Sequence, residues 1–219
     1  IEFVRTRYGM DDITLCGFCS GAYHSLRAAV AAMPVNRVLL VNAENFFWKT
    51  GADIHTLELA EVVKRSREHR QRILSMAAWK RLMTGQVNIW RLVRIYIQRP
   101  VLAMESVFRN LARTLRVRLP RDLGWELEEL AARGVRVVFV FSRGEAGLDL
   151  LRIQGGSSVK RLGDRCRVHI IDHADHIFSQ AASRAIMERT LSKELLAQNR
   201  SYPISGKPRP GLAPHEKPA

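Results

Sequence analysis

Short runs of apolar residues at four places along the chain predict buried β-strands. The longest run, residues 135–141, is apolar at every position except Arg136. A continuous run of this kind is typical of a central strand in a parallel sheet, where both faces are covered. Shorter runs near residues 13–17, 37–42 and 167–171 predict three further strands. The pattern therefore predicts one sheet made of these four strands.

Helices are predicted before, between and after these strands. Residues 2–8, the stretch 22–29 with its many small side chains, and residues 123–133 have helical patterns, and Gly134 stands where a helix C-cap is expected. A long final helix is expected from Phe178 to about residue 198. Strands that alternate with helices predict an α/β fold, with a mostly parallel sheet flanked by helices.

The turn between the first strand and its helix has the sequence Gly17-Phe18-Cys19-Ser20-Gly21. A strand that turns into a helix through Gly-x-nucleophile-x-Gly is the nucleophile elbow of the α/β-hydrolases, in which small residues flank a strained, exposed central residue. The central residue here is Cys19, because a turn centred on Ser20 would place Phe18 where a small residue is needed. The alternative interpretation is a buried structural cysteine in a glycine-rich turn.

Two carboxylates follow the longest predicted strand. Glu145 and Asp149 lie in the predicted loop 142–149, and open α/β sheets place their ligands and catalytic groups at the carboxyl ends of strands. Glu145 is therefore the first candidate for the acid of a catalytic triad, and Asp149 is the second. The alternative is that both are ordinary loop carboxylates.

Three histidines lie in or after the last predicted strand. His176 stands in the loop before the final helix, within the sequence Asp-His-x-Phe, which matches the catalytic histidine of α/β-hydrolases. His169 falls inside the strand and is expected to be a packed or edge histidine, and His173 does not match the pattern. Together with Asp172 and Asp175 they also resemble metal ligands, but a metal site needs ligands that converge. We expect neither a metal nor a cofactor.

Nucleophile, acid and histidine follow one another in the order that α/β-hydrolases use. His176 would remove the proton of Cys19 and later protonate the leaving group, while Glu145 would orient the imidazole. The backbone N–H of Ser20, at the amino end of a helix, would donate to the oxyanion. The expected reaction is acyl transfer through a thioester intermediate, ending on water or another acceptor.

A long insertion, residues 49–120, separates the second and third predicted strands. Its apolar residues recur at helical spacing, which predicts a helical cap over the site. Segment 64–121 holds fifteen Lys or Arg and only two acidic residues, so it carries nearly all of the formal net charge of +14.

Such a charge run is ordinarily a solvated surface. One functional alternative is electrostatic capture of an anionic substrate, for example an acyl carrier or an acidic glycan. Another is peripheral contact with an anionic membrane, with Trp79, Trp90 and Tyr96 at the interface. Nucleic-acid binding is not expected, because abundant arginine without a recognisable binding module does not indicate it.

Location and boundaries follow from composition. The chain has three cysteines, no visible secretory signal and no apolar stretch long enough to span a bilayer, which predicts a reduced, cytoplasmic protein.

Residues 1–48 and 121–198 are assigned to the core and residues 49–120 to the basic cap. Residues 199–219, which are rich in Pro and Gly, are expected to be a disordered tail.

Four segments resemble a bacterial group of α/β-hydrolases that are labelled serine-aminopeptidase-like, some of them associated with exopolysaccharide systems. The segments are residues 17–22, 79–85, 141–149 and 175–178, and the likeness spans about residues 1–197. The Gly-x-Cys-x-Gly elbow is similar to that of the dienelactone hydrolases, which use a cysteine nucleophile. The group commonly has Asp where this chain has Glu145, and aminopeptidase activity does not fit a central cysteine.

The same resemblance implies that part of the fold precedes the first residue of this chain. Complete α/β-hydrolases have several strands before the elbow, and one of their loops supplies the second oxyanion donor. Here the elbow begins at Gly17, so N-terminal strands are expected to be missing. The predicted function is hydrolysis of an ester or thioester. The alternative is an attenuated protein of this fold that binds an anionic glycan, lipid or protein partner through its cap.

Overall fold

The computed structural model describes residues 1–48, 104 and 106–197. Within them, four parallel strands form one sheet in the order β1-β2-β3-β4. The strands are β1 (Thr14–Phe18), β2 (Arg37–Val41), β3 (Arg136–Ser142) and β4 (Cys166–Ile171). Helices flank the sheet, so the protein belongs to the α/β class. All four predicted strands are confirmed to within one residue at each end.

The predicted helices are also present. The described helices are α1 (Glu2–Tyr8), α2 (Ser20–Val30), α3 (Leu123–Ala132), α4 (Ala146–Arg161) and α5 (Ala181–Leu196). Residues 106–114 are helical as well. The final helix begins at Ala181 rather than at Phe178, because Phe178 closes the turn that carries His176. The N–H of Phe178 donates to the carbonyl oxygen of Asp175 at 3.2 Å, and its φ of 53° is not helical.

Helix α4 corrects the sequence prediction. Residues 142–149 were expected to form a loop, but the helix begins at Ala146. The sequence pattern did not indicate this helix because the segment contains glycines, which disfavour helix interiors. Gly147 lies so close to the chain after β2 that a Cβ atom there would be 1.7 Å from the carbonyl oxygen of Ala43. The helix is kinked at Gly156, where φ is 53°, so packing rather than propensity holds it in place.

Side chains of the central strands alternate between two apolar layers. The layer beneath α2, α3 and α4 includes Val38, Leu40, Val137 and Phe139. The layer beneath α5 includes Leu39, Val41, Val138 and Val140. Because strands β2 and β3 are covered on both faces, they need apolar residues at consecutive positions. This explains why unbroken apolar runs mark them in the sequence.

The carboxyl ends of the four strands lie at one edge of the sheet. The parallel register pairs Phe18 with Val41, Val41 with Val140, and Ser142 with Ile171. Residues that follow the carboxyl ends of the strands are therefore brought together although they are distant in the chain. The polar residues that follow the strand ends include Cys19, Asn42, Glu44, Glu145 and His176.

One of the basic residues assigned to the surface of the cap is buried. Arg113 forms an ion pair with Asp122 at 2.6 Å, and both side chains are 1% exposed. Arg113 also donates to the carbonyl oxygen of Gly155 in α4 at 3.2 Å. The last part of the predicted cap thus packs against the core, since a buried guanidinium needs such partners to offset its desolvation.

The rest of the predicted cap lies outside the described residues. This holds for segment 79–85, for Trp79, Trp90 and Tyr96, and for the predicted tail 199–219. In the part of the chain that the structure describes, no helix is both long enough and apolar enough to cross a membrane.

Candidate active site

A tight turn joins β1 to α2 at the position of the predicted elbow. Cys19 has a φ of 51° and a ψ of −113°, a conformation that costs a non-glycine residue of the order of 1–3 kcal/mol. Two hydrogen bonds hold it there: its N–H donates to the carbonyl oxygen of Val41 at 2.9 Å, and its own carbonyl oxygen accepts from Ala22 at 3.1 Å. The strained turn carries the thiol to the carboxyl edge of the sheet.

The two glycines of the elbow are not equivalent. A Cβ atom at Gly17 would lie 2.1 Å from the carbonyl oxygen of Gly21, so the strand and the helix approach too closely for any side chain there. A Cβ atom at Gly21 would meet nothing within 4 Å. The expectation that both positions need a small residue therefore has a steric basis at Gly17 but not at Gly21.

His176 and Glu145 are hydrogen-bonded. Nδ1 of His176 lies 3.1 Å from Oε2 of Glu145, and the hydroxyl of Ser142 lies 3.2 Å from the other oxygen, Oε1. The aromatic ring of Phe18 packs edge-on against His176, with 6.1 Å between the ring centroids. The structure thus brings together the histidine and the first-choice acid that the sequence indicated.

Asp149, the second-choice acid, stands elsewhere. It lies in the first turn of α4 and pairs with Arg152 at 3.0 Å, while Glu145 occupies the position beside His176. His169 lies on β4, the last strand in the sheet order, with Nε2 2.9 Å from Glu194. This agrees with its interpretation as a packed or edge histidine.

Glu44 belongs to the site, although the sequence analysis did not include it. Its Oε2 accepts a hydrogen bond from the Cys19 thiol at 3.6 Å, and its Oε1 lies 3.7 Å from Nε2 of His176. One ligand atom from each of these three residues lies within 4.8 Å of the others. Glu44 follows the end of a buried strand, as the predicted residues do, and this placement is the signal that would have found it.

Asn42 is the second residue that sequence reasoning missed. Its side chain is fully buried, its φ is 44°, and its amide links two of the loops that carry the site. Nδ2 lies 3.0 Å from the hydroxyl of Ser142 and donates to the carbonyl oxygen of His176 at 2.6 Å, while Oδ1 accepts from the N–H of Ser142 at 2.8 Å. Its only sequence signal is that a polar residue directly follows four consecutive apolar residues of a buried strand.

The surroundings of Cys19 favour the neutral thiol. Burial raises its pKa first, and the negative charge of Glu44 raises it further, together with the hydrogen bond to Glu44 and the charge of Glu145. A hydrogen bond from the backbone N–H of Ser20 acts in the opposite direction and lowers the pKa of Cys19. This contact places the N–H of Ser20 beside the sulfur.

The other two cysteines lack these partners. Burial raises the pKa of Cys166 to about 12, and it also raises the pKa of Cys16. Neither belongs to a cluster with a histidine in the described residues. In the described residues, Cys19 is the cysteine that has an imidazole and a backbone N–H beside it.

Comparison with protein-family models and with curated proteins finds no match to this chain. The class of the protein therefore follows from its own architecture. It is an α/β protein with a parallel sheet, and a cysteine, a histidine and two glutamates meet at the carboxyl edge of that sheet.

Proposed function

We propose that this protein is an α/β-hydrolase that cleaves an ester or thioester, with Cys19 as nucleophile, His176 as general base and Glu145 as orienting acid. The observation that carries the proposal is the strained elbow at Cys19, which holds a thiol beside a histidine that is itself bonded to Glu145. Nucleophile, base and orienting group within contact of one another are the signature of covalent acyl transfer.

The reaction begins with transfer of the Cys19 proton to Nε2 of His176. The thiolate attacks the carbonyl carbon of the substrate, and the tetrahedral intermediate collapses to a thioester on Cys19. His176 gives its proton to the departing alkoxide or thiolate. A water molecule then attacks the thioester while His176 takes its proton, and the acid product leaves as Cys19 is restored.

Two groups support these steps from fixed positions. Glu145 accepts the hydrogen bond from Nδ1–H of His176, so the unprotonated Nε2 faces the thiol, and it stabilises the imidazolium that forms. The backbone N–H of Ser20 donates to the oxyanion of each tetrahedral intermediate.

The Glu44 side chain has to move away from Cys19 when substrate binds. In the structure its carboxylate accepts a hydrogen bond from the thiol and lies beside Nε2 of His176, so the resting thiol is directed at a carboxylate rather than at the base. The Glu44 side chain is 46% exposed, which gives it room to move towards solvent. A bound acyl group would displace it and leave Cys19 facing His176.

The class of substrate and the wider partners are proposed from charge. The strongly basic segment 64–121 supports an anionic substrate, such as an acyl carrier, or contact with an anionic membrane. Most of that segment lies outside the described residues, so the proposal rests on composition. A small-molecule ester is the simplest substrate that the site accommodates chemically.

One observation favours a second candidate, an attenuated protein that binds a partner without turnover. Glu44 and Glu145 both raise the pKa of the Cys19 thiol, whereas an efficient cysteine nucleophile usually has a lowered pKa. In this case the basic cap would bind an anionic glycan, lipid or protein, and Cys19→Ala would leave that binding unchanged.

Hydrolysis and acyl transfer to Cys19 test the proposal directly. The full chain is incubated with a short-chain aryl ester and an aryl thioester, and product release and intact mass are recorded for the wild type, Cys19→Ala and His176→Ala. We expect turnover and a covalent acyl adduct in the wild type. Cys19→Ala should lack both, and His176→Ala should be slower by about 10²–10⁴-fold.

Matched variants distinguish the reactivity of the site from that of an ordinary thiol or histidine. Cys16→Ala removes another exposed thiol, and His173→Asn removes an exposed histidine of the same loop with a residue that tolerates its positive φ of 52°. Both should behave as the wild type. Acylation that is no faster than that of free cysteine, or that persists in His176→Ala at the wild-type rate, would overturn the hydrolase proposal.

A further inference from the structure

The cluster of Cys19, Glu44 and His176 has the composition and spacing of a divalent-metal site. Sγ of Cys19 lies 3.6 Å from Oε2 of Glu44, and Nε2 of His176 lies 3.7 Å from Oε1 of the same carboxylate. Ligands around a tetrahedral zinc ion, at roughly 2.0–2.3 Å from the metal, are separated from one another by roughly 3.4–3.6 Å. Sγ and Nε2 contact different oxygens of Glu44, and one ligand atom from each residue lies within 4.8 Å of the others. Small side-chain rotations would therefore bring the three ligands to the required separations.

We propose that Cys19, Glu44 and His176 bind a Zn²⁺ ion that reversibly blocks the thiol. The fourth coordination position is left to water, because the side chains of His176 and Glu44 are partly exposed to solvent. Binding replaces the thiol proton by the metal, so that Cys19–SH and Zn²⁺ give a zinc thiolate and one proton released to solvent.

The hydrogen bond between His176 and Glu145 supports this inference independently. Zinc-ligating histidines nearly always donate their other ring N–H to a carboxylate or carbonyl, which orients the ring and raises its basicity. Here Nδ1 of His176 lies 3.1 Å from Glu145, which leaves the lone pair of Nε2 for a metal. Ser142 and Asn42 in turn hold Glu145 and the backbone of His176.

The electrostatics of the cluster point the same way. Two carboxylates near a thiol disfavour its thiolate form, because like charges repel. A divalent cation reverses this balance, because it is attracted by the carboxylate of Glu44 and stabilises the thiolate as a ligand. The Glu44 side chain that opposes a free thiolate thus favours a metal-bound one.

The donor set selects the kind of metal. One sulfur, one imidazole nitrogen and one carboxylate oxygen suit Zn²⁺ and its neighbours in the first transition row. Mg²⁺ and Ca²⁺ prefer sets made of oxygen alone, so they are not expected to compete. Co²⁺ accepts the same ligands as Zn²⁺ and reports thiolate coordination by a sulfur-to-metal charge-transfer band.

The experiment uses the full chain, reduced and freed of metal with a chelator. Co²⁺ is titrated while the near-ultraviolet charge-transfer band is followed, and Zn²⁺ is then added to displace it. We expect one Co²⁺ per chain with a thiolate band that Zn²⁺ removes, and no such band with Cys19→Ala or Cys19→Ser. Glu145→Gln should weaken binding by about 10–100-fold, and Glu44→Gln should also weaken it.

Cys16→Ala is the matched control, since it removes an exposed cysteine that lies outside the cluster and should leave the titration unchanged. Zn²⁺ should also protect Cys19 from alkylation in the wild type. Absence of a thiolate band in the folded wild type, or a band that survives in Cys19→Ala, would overturn the metal site.

This inference does not depend on the proposed hydrolysis. The readouts are metal stoichiometry and a spectroscopic band, neither of which requires turnover. A protein that binds Zn²⁺ through Cys19 but cleaves no ester would contradict the proposed function and support the metal site. A protein that forms an acyl adduct but gives no cobalt thiolate band would do the reverse.

Discussion

The buried amide of Asn42 donates to the backbone carbonyl oxygen of His176 at 2.6 Å, across 134 positions of the chain. The same amide contacts Ser142, whose hydroxyl lies beside Glu145. One side chain at the end of β2 therefore links the loop that carries the histidine to the loop that carries its acid. The geometry of the site depends on a residue that takes no direct part in the proposed reaction.

Asn42→Ala should reduce both stability and reactivity. The loss of these buried hydrogen bonds is expected to lower the free energy of unfolding by about 1–3 kcal/mol. Displacement of His176 should slow ester hydrolysis by about 10²-fold. Chemical denaturation measures the loss of stability, and the aryl-ester assay measures the loss of hydrolysis. Asn42→Gly removes the same amide but also the strain of a positive φ, so its loss of hydrolysis can be separated from the loss of stability.

Asn36→Ala is the matched control for that variant. Asn36 precedes β2 and accepts a hydrogen bond from the N–H of Ile13 at 3.0 Å, at the opposite end of the sheet from the site. It should lower stability and leave hydrolysis unchanged. If Asn42→Gly hydrolysed the ester as fast as the wild type, Asn42 would have no role in positioning His176.

Glu44→Gln should make Cys19 more reactive at a given pH. The negative charge of Glu44 raises the pKa of this thiol, so its removal lowers the pKa and increases the thiolate fraction at any pH below it. The alkylation rate with iodoacetamide is measured as a function of pH in the presence of a chelator. The pH profile of Glu44→Gln should lie at lower pH than that of the wild type.

Glu129→Gln serves as the control for the removal of a negative charge. The side chain of Glu129 is 44% exposed, close to the 46% of Glu44, and it contacts Arg118 rather than a cysteine. The pH profile of alkylation of Glu129→Gln should superimpose on that of the wild type. A Glu44→Gln profile that stays in place or moves to higher pH would contradict the electrostatic role assigned to Glu44.

The two candidate acids should differ sharply in their effect on hydrolysis. Glu145→Gln removes the carboxylate that orients His176 and should lower the rate of ester hydrolysis by about 10²–10⁴-fold. Asp149→Asn disturbs a contact with Arg152 on α4 and should leave the rate unchanged. Equal losses in the two variants would mean that the hydrogen bond at Nδ1 does not identify the acid.

The elbow glycines should respond differently to the same substitution. Gly17→Ala places a methyl group 2.1 Å from the backbone of Gly21, so the strand or the helix has to move, and we expect a loss of about 3 kcal/mol or more in the free energy of unfolding. Gly21→Ala has open space in α2 and should be neutral or stabilising by up to about 1 kcal/mol. Thermal and urea unfolding of the two variants compare them, and equal stabilities would disprove the steric account.

Local sequence was sufficient for the strands, for most of the helices and for three members of the site. Buried parallel strands require consecutive apolar residues, so residues 37–42 and 135–141 were recognisable from composition alone. Cys19, Glu145 and His176 lie one, three and five positions after the ends of β1, β3 and β4. Their order along the chain indicated that they would meet once the strands aligned in parallel.

Tertiary structure decided which of these neighbours contact one another. Helix α4 was missed because its glycines reflect close packing against other segments, which no local pattern reports. Glu145 rather than Asp149 reaches His176 because α4 begins between them and carries Asp149 away with its first turn. Glu44 and Asn42 acquire their roles from side-chain and backbone groups 25 to 134 positions distant, and such contacts exist only after the sheet has brought the strand ends together.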